Sequence, residues 1–288
     1  MTNLNQDIRD KLSRLNVFEK IIVVNLVLFV FTSIILRFQG FGSGMEWLSL
    51  SKSASKVILM PWTLITYGFT HYSFSHLFFN MIVLYFFGRS FSNLFKSDLC
   101  LKVYLLGIFS GGLAFVLVYN IFPYGILNTV GPLVGASAGV RALIIFLCVY
   151  LPNKEVRFFT FQFPLKYIGI ALVLLDIPGL FSQNSGGTIA HFGGYILGCF
   201  YARQFQKGID MGEFIDKVTA YFSKSKSNLK TVYKKTNNKN SSFTGKNKEE
   251  FDRFTHQKQI DLILDKISKS GYESLTQVEK DFLFRAGK

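Results

Sequence analysis

Charged residues are scarce in this chain of 288 residues, at 17% of the total, whereas soluble domains average about 25%. No Asp or Glu occurs between Asp98 and Glu155, and Arg141 is the single basic residue between Lys102 and Lys154. With 49% hydrophobic residues and 32 Phe, the composition excludes disorder for most of the chain. It also excludes an ordinary soluble protein of this length.

Cysteine is also scarce, and its spacing is uninformative. The three cysteines are Cys100, Cys148 and Cys199, and they lie in or beside apolar runs without metal-ligand spacing. A disulfide scaffold is therefore excluded, and we expect neither a metal nor another cofactor. The polar residues 1–20 lack the form of a cleavable signal peptide, so we expect a short cytoplasmic segment there.

Six apolar segments are the strongest positive feature. The first, IIVVNLVLFVFTSIIL, carries no charge and is long enough with its flanks to cross a hydrocarbon core of about 30 Å. The six segments are 21–36, 74–95, 103–122, 135–151, 165–183 and 188–204. They predict an all-α membrane protein whose domain of six transmembrane helices spans residues 21–204.

Basic residues indicate the orientation of this domain. Lys and Arg cluster near the N-terminus, in the second and fourth connections and after the sixth segment, whereas the third and fifth connections contain none. Under the positive-inside rule, both termini are expected on the cytoplasmic side.

The polar residues after the last apolar segment predict a small soluble helical tail. We expect residues 205–248 to form a basic linker that is disordered from Lys217 to Lys248. We expect residues 249–288 to form a helical hairpin, with a helix ending at Gly271 and with Thr276 and Glu279 forming a capping box. Nucleic-acid binding is the alternative reading of the basic run, but a membrane anchor already explains the charge, so no nucleic acid is expected. The hairpin suggests a docking role.

Three of the four histidines fall in the apolar region, where an unpaired polar ring is costly. In HYSFSHLFFN, His76 and Asn80 are four residues apart and share a helical face, and His71 lies in the loop before that helix. Such donors can converge on one developing negative charge. The alternative is a structural pair that joins neighbouring helices.

Two glycine-rich motifs complete the candidate site. Ser137, in Gly135-Ala-Ser-Ala-Gly139, is expected near the N-terminal end of the fourth membrane helix, where the helix dipole favours an anion. His191, Gly194 and Gly198 lie on one stripe of the sixth helix. The two glycines form a seam that another helix can approach closely.

If that partner is the fourth helix, His191 meets Ser137 as a general base meets a nucleophile. The alternatives are small-residue packing for the serine motif and a purely structural histidine on the seam.

Together and in this order, the three motifs resemble those of the rhomboid family of intramembrane serine proteases. The resemblance implies a Ser–His dyad without a third acidic member, with Ser137 as the nucleophile and His191 as the base. It implies an oxyanion hole formed by His76, Asn80 and the Ser137 backbone N–H, with His71 in support.

The resemblance covers roughly residues 15–205, and it includes Gly135, Gly194 and Gly198 as supporting positions. Arg141 departs from it, because an aromatic residue commonly packs on the catalytic histidine at that position. A guanidinium can stack on imidazole, but its charge would disfavour the imidazolium formed in catalysis.

The expected function is intramembrane serine endopeptidase activity on transmembrane segments of other proteins, with membrane lipid as the second partner. The alternative is a weak or inactive rhomboid-like protein that binds membrane clients. A transporter is disfavoured by the scarcity of charge and the lack of an inverted repeat. Family grounds and the absence of an organelle-targeting leader suggest a bacterial inner membrane. Substrate identity and oligomeric state stay open.

Overall fold

Helices carry most of the regular structure. The computed structural model describes residues 4–39, 45–122, 131–158, 161–222 and 248–286. The chain divides into two units, residues 1–225 and 226–288. In the first unit the helices are α1 (Leu4–Arg14), α2 (Val17–Gln39), α3 (Ala54–Leu59), α4 (Thr63–Thr66), α5 (Phe74–Ser92), α6 (Ser97–Ile121), α7 (Ser137–Tyr150), α8 (Leu165–Asp176), α9 (Ser185–Gln206) and α10 (Glu213–Phe222).

Each of the six apolar segments overlaps one helix, from α2 through α5, α6, α7 and α8 to α9. The fifth segment, 165–183, is α-helical only as far as Asp176 and continues into a 3₁₀ turn (Pro178–Phe181). Among the described residues, two helices are long and apolar enough to cross a membrane, Val17–Arg37 and Ser97–Ile121. Helix α7 is apolar but shorter. The helical positions are therefore confirmed, whereas six membrane crossings stay a prediction.

Helices α6, α7 and α9 form the core of the first unit, and small residues set their separation. A Cβ at Gly194 would lie 2.3 Å from the carbonyl oxygen of Ala138, and one at Gly198 would lie 2.3 Å from that of Ala142. Only glycine permits such an approach. The predicted glycine seam is confirmed, and its partner is the fourth of the six helices.

A two-stranded sheet corrects the expectation of an all-α protein. Strands β1 (Glu155–Phe158) and β2 (Phe161–Pro164) pair antiparallel between α7 and α8, with Val156 opposite Phe163. Within the strands, Val156 and Phe158 flank Arg157, and Phe161 and Phe163 flank Gln162. Such β-branched and aromatic residues favour a short hairpin over a helix.

The expected linker contains helix α10 (Glu213–Phe222), which corrects the expectation of disorder for residues 217–222. The Nζ of the buried Lys102 lies 2.7 Å from Asp210 and also pairs with Asp216 in α10. Tyr201 donates to Asp210. Burial alone would raise the pKa of the Asp210 carboxyl, but hydrogen bonds from Lys102 and Tyr201 hold it below the usual value. The rest of that linker, residues 223–247, lies outside the described residues.

The second unit contains α11 (Lys248–Ser270), a 3₁₀ turn (Tyr272–Ser274) and α12 (Gln277–Ala286). Gly271 follows α11 with a φ of 77°, a value that favours glycine, and its N–H donates to the Ile267 carbonyl at 2.8 Å. The backbone N–H of Thr276 donates to Glu279 Oε2 at 2.7 Å, and the Glu279 N–H donates back to Thr276 Oγ1 at 3.4 Å. The predicted helix end and capping box are therefore confirmed.

Candidate active site

A cavity of about 240 Å³ opens between α5, α7 and α9. It brings together five residues singled out in the sequence, His76, Asn80, Ser137, Arg141 and His191. The remaining lining residues are Phe79, Val83, Val134, Val140, Asn184 and Gly187. The wall is thus partly apolar, with a few convergent polar groups, as in many ligand and active sites.

Ser137 is the first residue of α7 and is partly exposed. The backbone N–H groups in the first turn of a helix have no carbonyl partner within the helix, so they can bind an anion. Gly135 has a φ of 119°, and its N–H donates to the Tyr67 carbonyl at 2.9 Å. A Cβ at Gly135 would lie 2.6 Å from Cε1 of His76. Glycine is therefore required both by the backbone and by the neighbouring imidazole.

His76 and Asn80 lie one turn apart on α5, which Ser73 caps by accepting the His76 N–H at 3.3 Å. Asn80 Nδ2 donates to the His76 carbonyl at 3.0 Å and lies 3.4 Å from Nε2 of His71. The amide is therefore held in one orientation beside the cavity.

His71 precedes α5, as the sequence predicts, and is 2% exposed. The backbone N–H of Ala136 donates to its Nε2 at 3.5 Å. The His71 and His76 ring centroids are 5.0 Å apart. His71 thus joins α5 to the residue before Ser137, which suits a supporting position.

His191, on α9, has an acidic partner that the sequence reasoning missed. Its Nδ1 lies 2.9 Å from Oδ2 of Asp176, the last residue of α8. The resemblance implies a dyad without an acidic member, but in the structure a carboxylate does contact the imidazole of His191. A signal was available, because Asp176 is the single acidic residue between Glu155 and Asp210, and a carboxylate at the end of an apolar segment is costly unless it has a role.

Arg141 also contacts Asp176. Its Nη2 donates to Asp176 Oδ1 at 3.3 Å, and the two side chains are 20% and 14% exposed. Tyr195, one turn beyond His191 on α9, donates its hydroxyl to the same carboxylate. The positive charge of Arg141 beside the imidazole is therefore paired with a negative one.

Gly194 and Gly198 contribute differently, because they pack against α7 and set the distance between the helices that carry Ser137 and His191. Within the described ranges, no group of three or more His, Cys, Asp or Glu side chains is arranged to hold a metal ion.

Comparison with known protein families shows what class of protein carries this site. The model of the rhomboid domain matches residues 59–207, just over half of the chain, and the chain belongs to the rhomboid family. Rhomboid family proteins act on membrane protein substrates. Residues 247–286 match a separate family of unknown function, DUF6576.

Curated relatives match the same part of the chain. RHOMBOID-like protein 12, mitochondrial, from Arabidopsis thaliana is 33% identical over 159 residues, which are 51% of this chain and 47% of the relative. Presenilin-associated rhomboid-like protein A, mitochondrial, from Danio rerio is 31% identical over 155 residues, 52% and 39% of the two chains. The human presenilin-associated rhomboid-like protein, mitochondrial, is 28% identical over 156 residues, with the same shares.

The chain thus spans less than half the length of these relatives. Their names overturn one expectation from the sequence. All three are named as mitochondrial proteins, so the expected bacterial inner membrane is wrong.

Proposed function

We propose that this protein is an intramembrane serine endopeptidase that cleaves transmembrane segments of other membrane proteins. The observation that carries the proposal is the shared cavity: Ser137 at the start of α7 and His191 on α9 line it together with His76 and Asn80. A nucleophile, a base and anion-binding donors around one space are the parts that acyl transfer requires.

In the proposed reaction, Ser137 Oγ bonds to the scissile carbonyl carbon while its proton passes to Nε2 of His191. The carbonyl π electrons move to the oxygen, and the resulting anion is bound by the Ser137 backbone N–H, His76 and Asn80. Collapse of this intermediate breaks the C–N bond, and the departing amine takes the proton from His191. A water molecule then hydrolyses the acyl-enzyme by the same proton transfers in reverse.

The membrane setting constrains the substrate. We place the protease domain in residues 21–204 with six membrane helices, after the N-terminal segment 1–20 and before the linker (205–248) and hairpin (249–288). A transmembrane helix satisfies all its backbone hydrogen bonds internally, so it must unwind locally to expose a peptide bond. Helix-breaking or small residues near the cut are expected. The names of the relatives favour a mitochondrial membrane as the location.

The test is cleavage of a model transmembrane substrate by the full chain in detergent, alongside labelling with a fluorophosphonate probe. Ser137→Ala and His191→Ala should each abolish cleavage, and Ser137→Ala should abolish labelling, because catalytic residues that act as a unit each cost about 10⁴–10⁶ in kcat. Ser90→Ala is the matched control. This serine lies near the other end of α5 and bonds only its own helix among the contacts described, so full activity is expected. Retained cleavage by either catalytic variant would remove the proposal.

One observation favours a second candidate, a rhomboid-like protein that binds membrane clients without cleaving them. The Arg141 guanidinium lines the cavity beside His191, where a cation opposes formation of the imidazolium. The same experiment separates the two functions. A wild-type protein that captures the transmembrane substrate, but neither cleaves it nor reacts with the probe, would establish the second candidate.

A further inference from the structure

We propose that Asp176 is a positioning residue for the base of this protease, and that its charge makes Arg141 compatible with catalysis. The inference rests on the proposed function and deepens it. It replaces the two-residue arrangement implied by the family resemblance with a nucleophile, a base and a carboxylate that orients the base.

The hydrogen bond to His191 fixes the tautomer of the ring. An ionised carboxylate only accepts hydrogen bonds, so the 2.9 Å contact between Asp176 Oδ2 and His191 Nδ1 places a proton on Nδ1. The other ring nitrogen, Nε2, then carries a lone pair and can accept the proton of Ser137. In soluble serine proteases the carboxylate of the triad acts in this way.

The carboxylate is itself held in place. Tyr195 and Arg141 both donate to it, and its side chain is only 14% exposed. Tyr195 shares a helical face with His191, and Arg141 lies one turn after Ser137 on α7. Helices α7, α8 and α9 therefore meet at Asp176, and any rotation of the imidazole must break a contact to it.

The negative charge of Asp176 explains how the Arg141 guanidinium can lie close to a histidine that must become protonated. When His191 takes a proton, Arg141 and the imidazolium are two cations near one carboxylate, and the cluster has a net charge of one. Without Asp176, two unpaired cations would face each other in a largely buried site, which disfavours the imidazolium. Loss of Asp176 should therefore lower kcat more when Arg141 is present than when Arg141 has been replaced.

The first experiment measures cleavage kinetics of Asp176→Asn, a nearly isosteric change. We expect kcat to fall about 10⁴-fold, as when a triad carboxylate is removed, with KM unchanged because no substrate contact is lost. Fluorophosphonate labelling of Ser137 should slow in parallel. The matched control is Asp98→Asn, an exposed acid in the first turn of α6, which should keep wild-type kinetics.

The second experiment is the double variant Asp176→Asn with Arg141→Gln. Its kcat should exceed that of Asp176→Asn by about tenfold, because the unpaired cation is gone, and Arg141→Gln alone should change kcat much less than Asp176→Asn does. A structural role for Asp176 would not produce this recovery. Equal kcat in the double variant and in Asp176→Asn would overturn the role given to Arg141.

Melting in detergent shows whether Asp176→Asn remains folded. If it does not, Tyr195→Phe removes one anchor of the carboxylate, and kcat should fall about 2–10-fold at unchanged KM, in line with one lost hydrogen bond. An Asp176→Asn kcat within threefold of wild type, or an unchanged Tyr195→Phe kcat where that variant is used, overturns the inference while the protease function stands. Cleavage by Ser137→Ala would instead overturn the protease function and this inference with it.

Discussion

Two ionic clusters in the first unit are built from similar parts. In one, Asp176 accepts from Tyr195 and pairs with Arg141; in the other, Asp210 accepts from Tyr201 and pairs with Lys102. Both join helices that are distant in sequence, and both neutralise a poorly hydrated cation, which is what any such cation in an apolar bundle requires.

They differ in what else the carboxylate contacts. Asp176 also bonds the ring of His191, which lines a cavity, whereas Asp210 also accepts the backbone N–H of Gly212 at 2.9 Å. The first cluster orients a ring that faces the cavity, and the second secures the chain after α9. Two similar ion pairs thus differ in role because one carboxylate contacts the His191 ring and the other contacts the Gly212 backbone. The following predictions test this contrast, from the largest effect to the smallest.

Gly135→Ala should lower catalytic activity through the cavity and leave the cluster of Asp210 and Lys102 intact. The new Cβ would meet the His76 ring at 2.6 Å, at a φ that side chains rarely adopt, so the ring must move. We expect kcat to fall about 10²-fold, the cost of losing one oxyanion donor. Substrate cleavage measures it. Gly131→Ala is the control, since a Cβ there meets nothing within 4 Å, and equal kcat in both variants would contradict the prediction.

Lys102→Met should lower the stability of the protein without affecting the cavity, because Lys102 belongs to the cluster of Asp210. The change leaves Asp210 and Asp216 without their shared cation, but these acids are 29% and 50% exposed. Solvent therefore limits the loss of unfolding free energy to about 1–2 kcal/mol, below the cost of breaking a fully buried pair. Thermal unfolding in detergent measures it, with the exposed Lys96→Met as the control.

Activity is the second readout for Lys102→Met. The kcat per folded molecule should equal that of wild type, in contrast to Asp176→Asn. A fall in kcat as large as that of Asp176→Asn would show that the two clusters do not differ in function.

A lysine–carboxylate pair in the second unit, Lys266 and Glu279, extends the comparison to side chains that are 40% and 29% exposed. Hydrogen bonds from Lys266 and Thr276 lower the pKa of Glu279 from 4.5 to about 2. Because the folded-state pKa is depressed, this contribution to stability is present above pH 4.5 and is lost as the pH falls toward 2. Hydrogen-exchange protection of α12 should therefore decline below pH 4.5.

The control for this pH effect lies in the same unit. Glu279→Gln should weaken the decline. Glu273→Gln should preserve it, since Glu273 is 92% exposed and pairs with Lys280 at 3.4 Å. An unchanged decline in Glu279→Gln would assign the pH response to another group.

Local features of the fold followed from the sequence. The lengths of the apolar segments placed the six main helices, and the capping residues Thr276 and Glu279 placed the start of α12. The sequence did not predict the hairpin β1–β2, because its residues lie between two apolar segments and were interpreted as a loop between two membrane helices. The sequence did not predict helix α10, because the basic residues that follow it indicated a linker. The pairing of Asp216 with Lys102, 114 residues away, is visible only in the structure.

The candidate site divides in the same way. Spacing of three or four residues along a helix put His76 beside Asn80, and His191 on the face of Gly194, because the helical repeat alone fixes those neighbours. It also predicted that another helix approaches α9 closely, since glycine is the residue that allows contact between helix backbones. That this helix is α7 was only one possibility, and the structure decided it.

Only the tertiary structure decided where charges meet. The sequence allowed Arg141 to stack on the imidazole, but in the structure it pairs with the carboxylate at the end of α8. The same carboxylate, 15 residues before His191 in the chain, contacts the imidazole. Helix periodicity gives the face of each side chain. It does not give the direction in which a turn such as Pro178–Phe181 sends the next helix, and that direction brings Asp176 to His191.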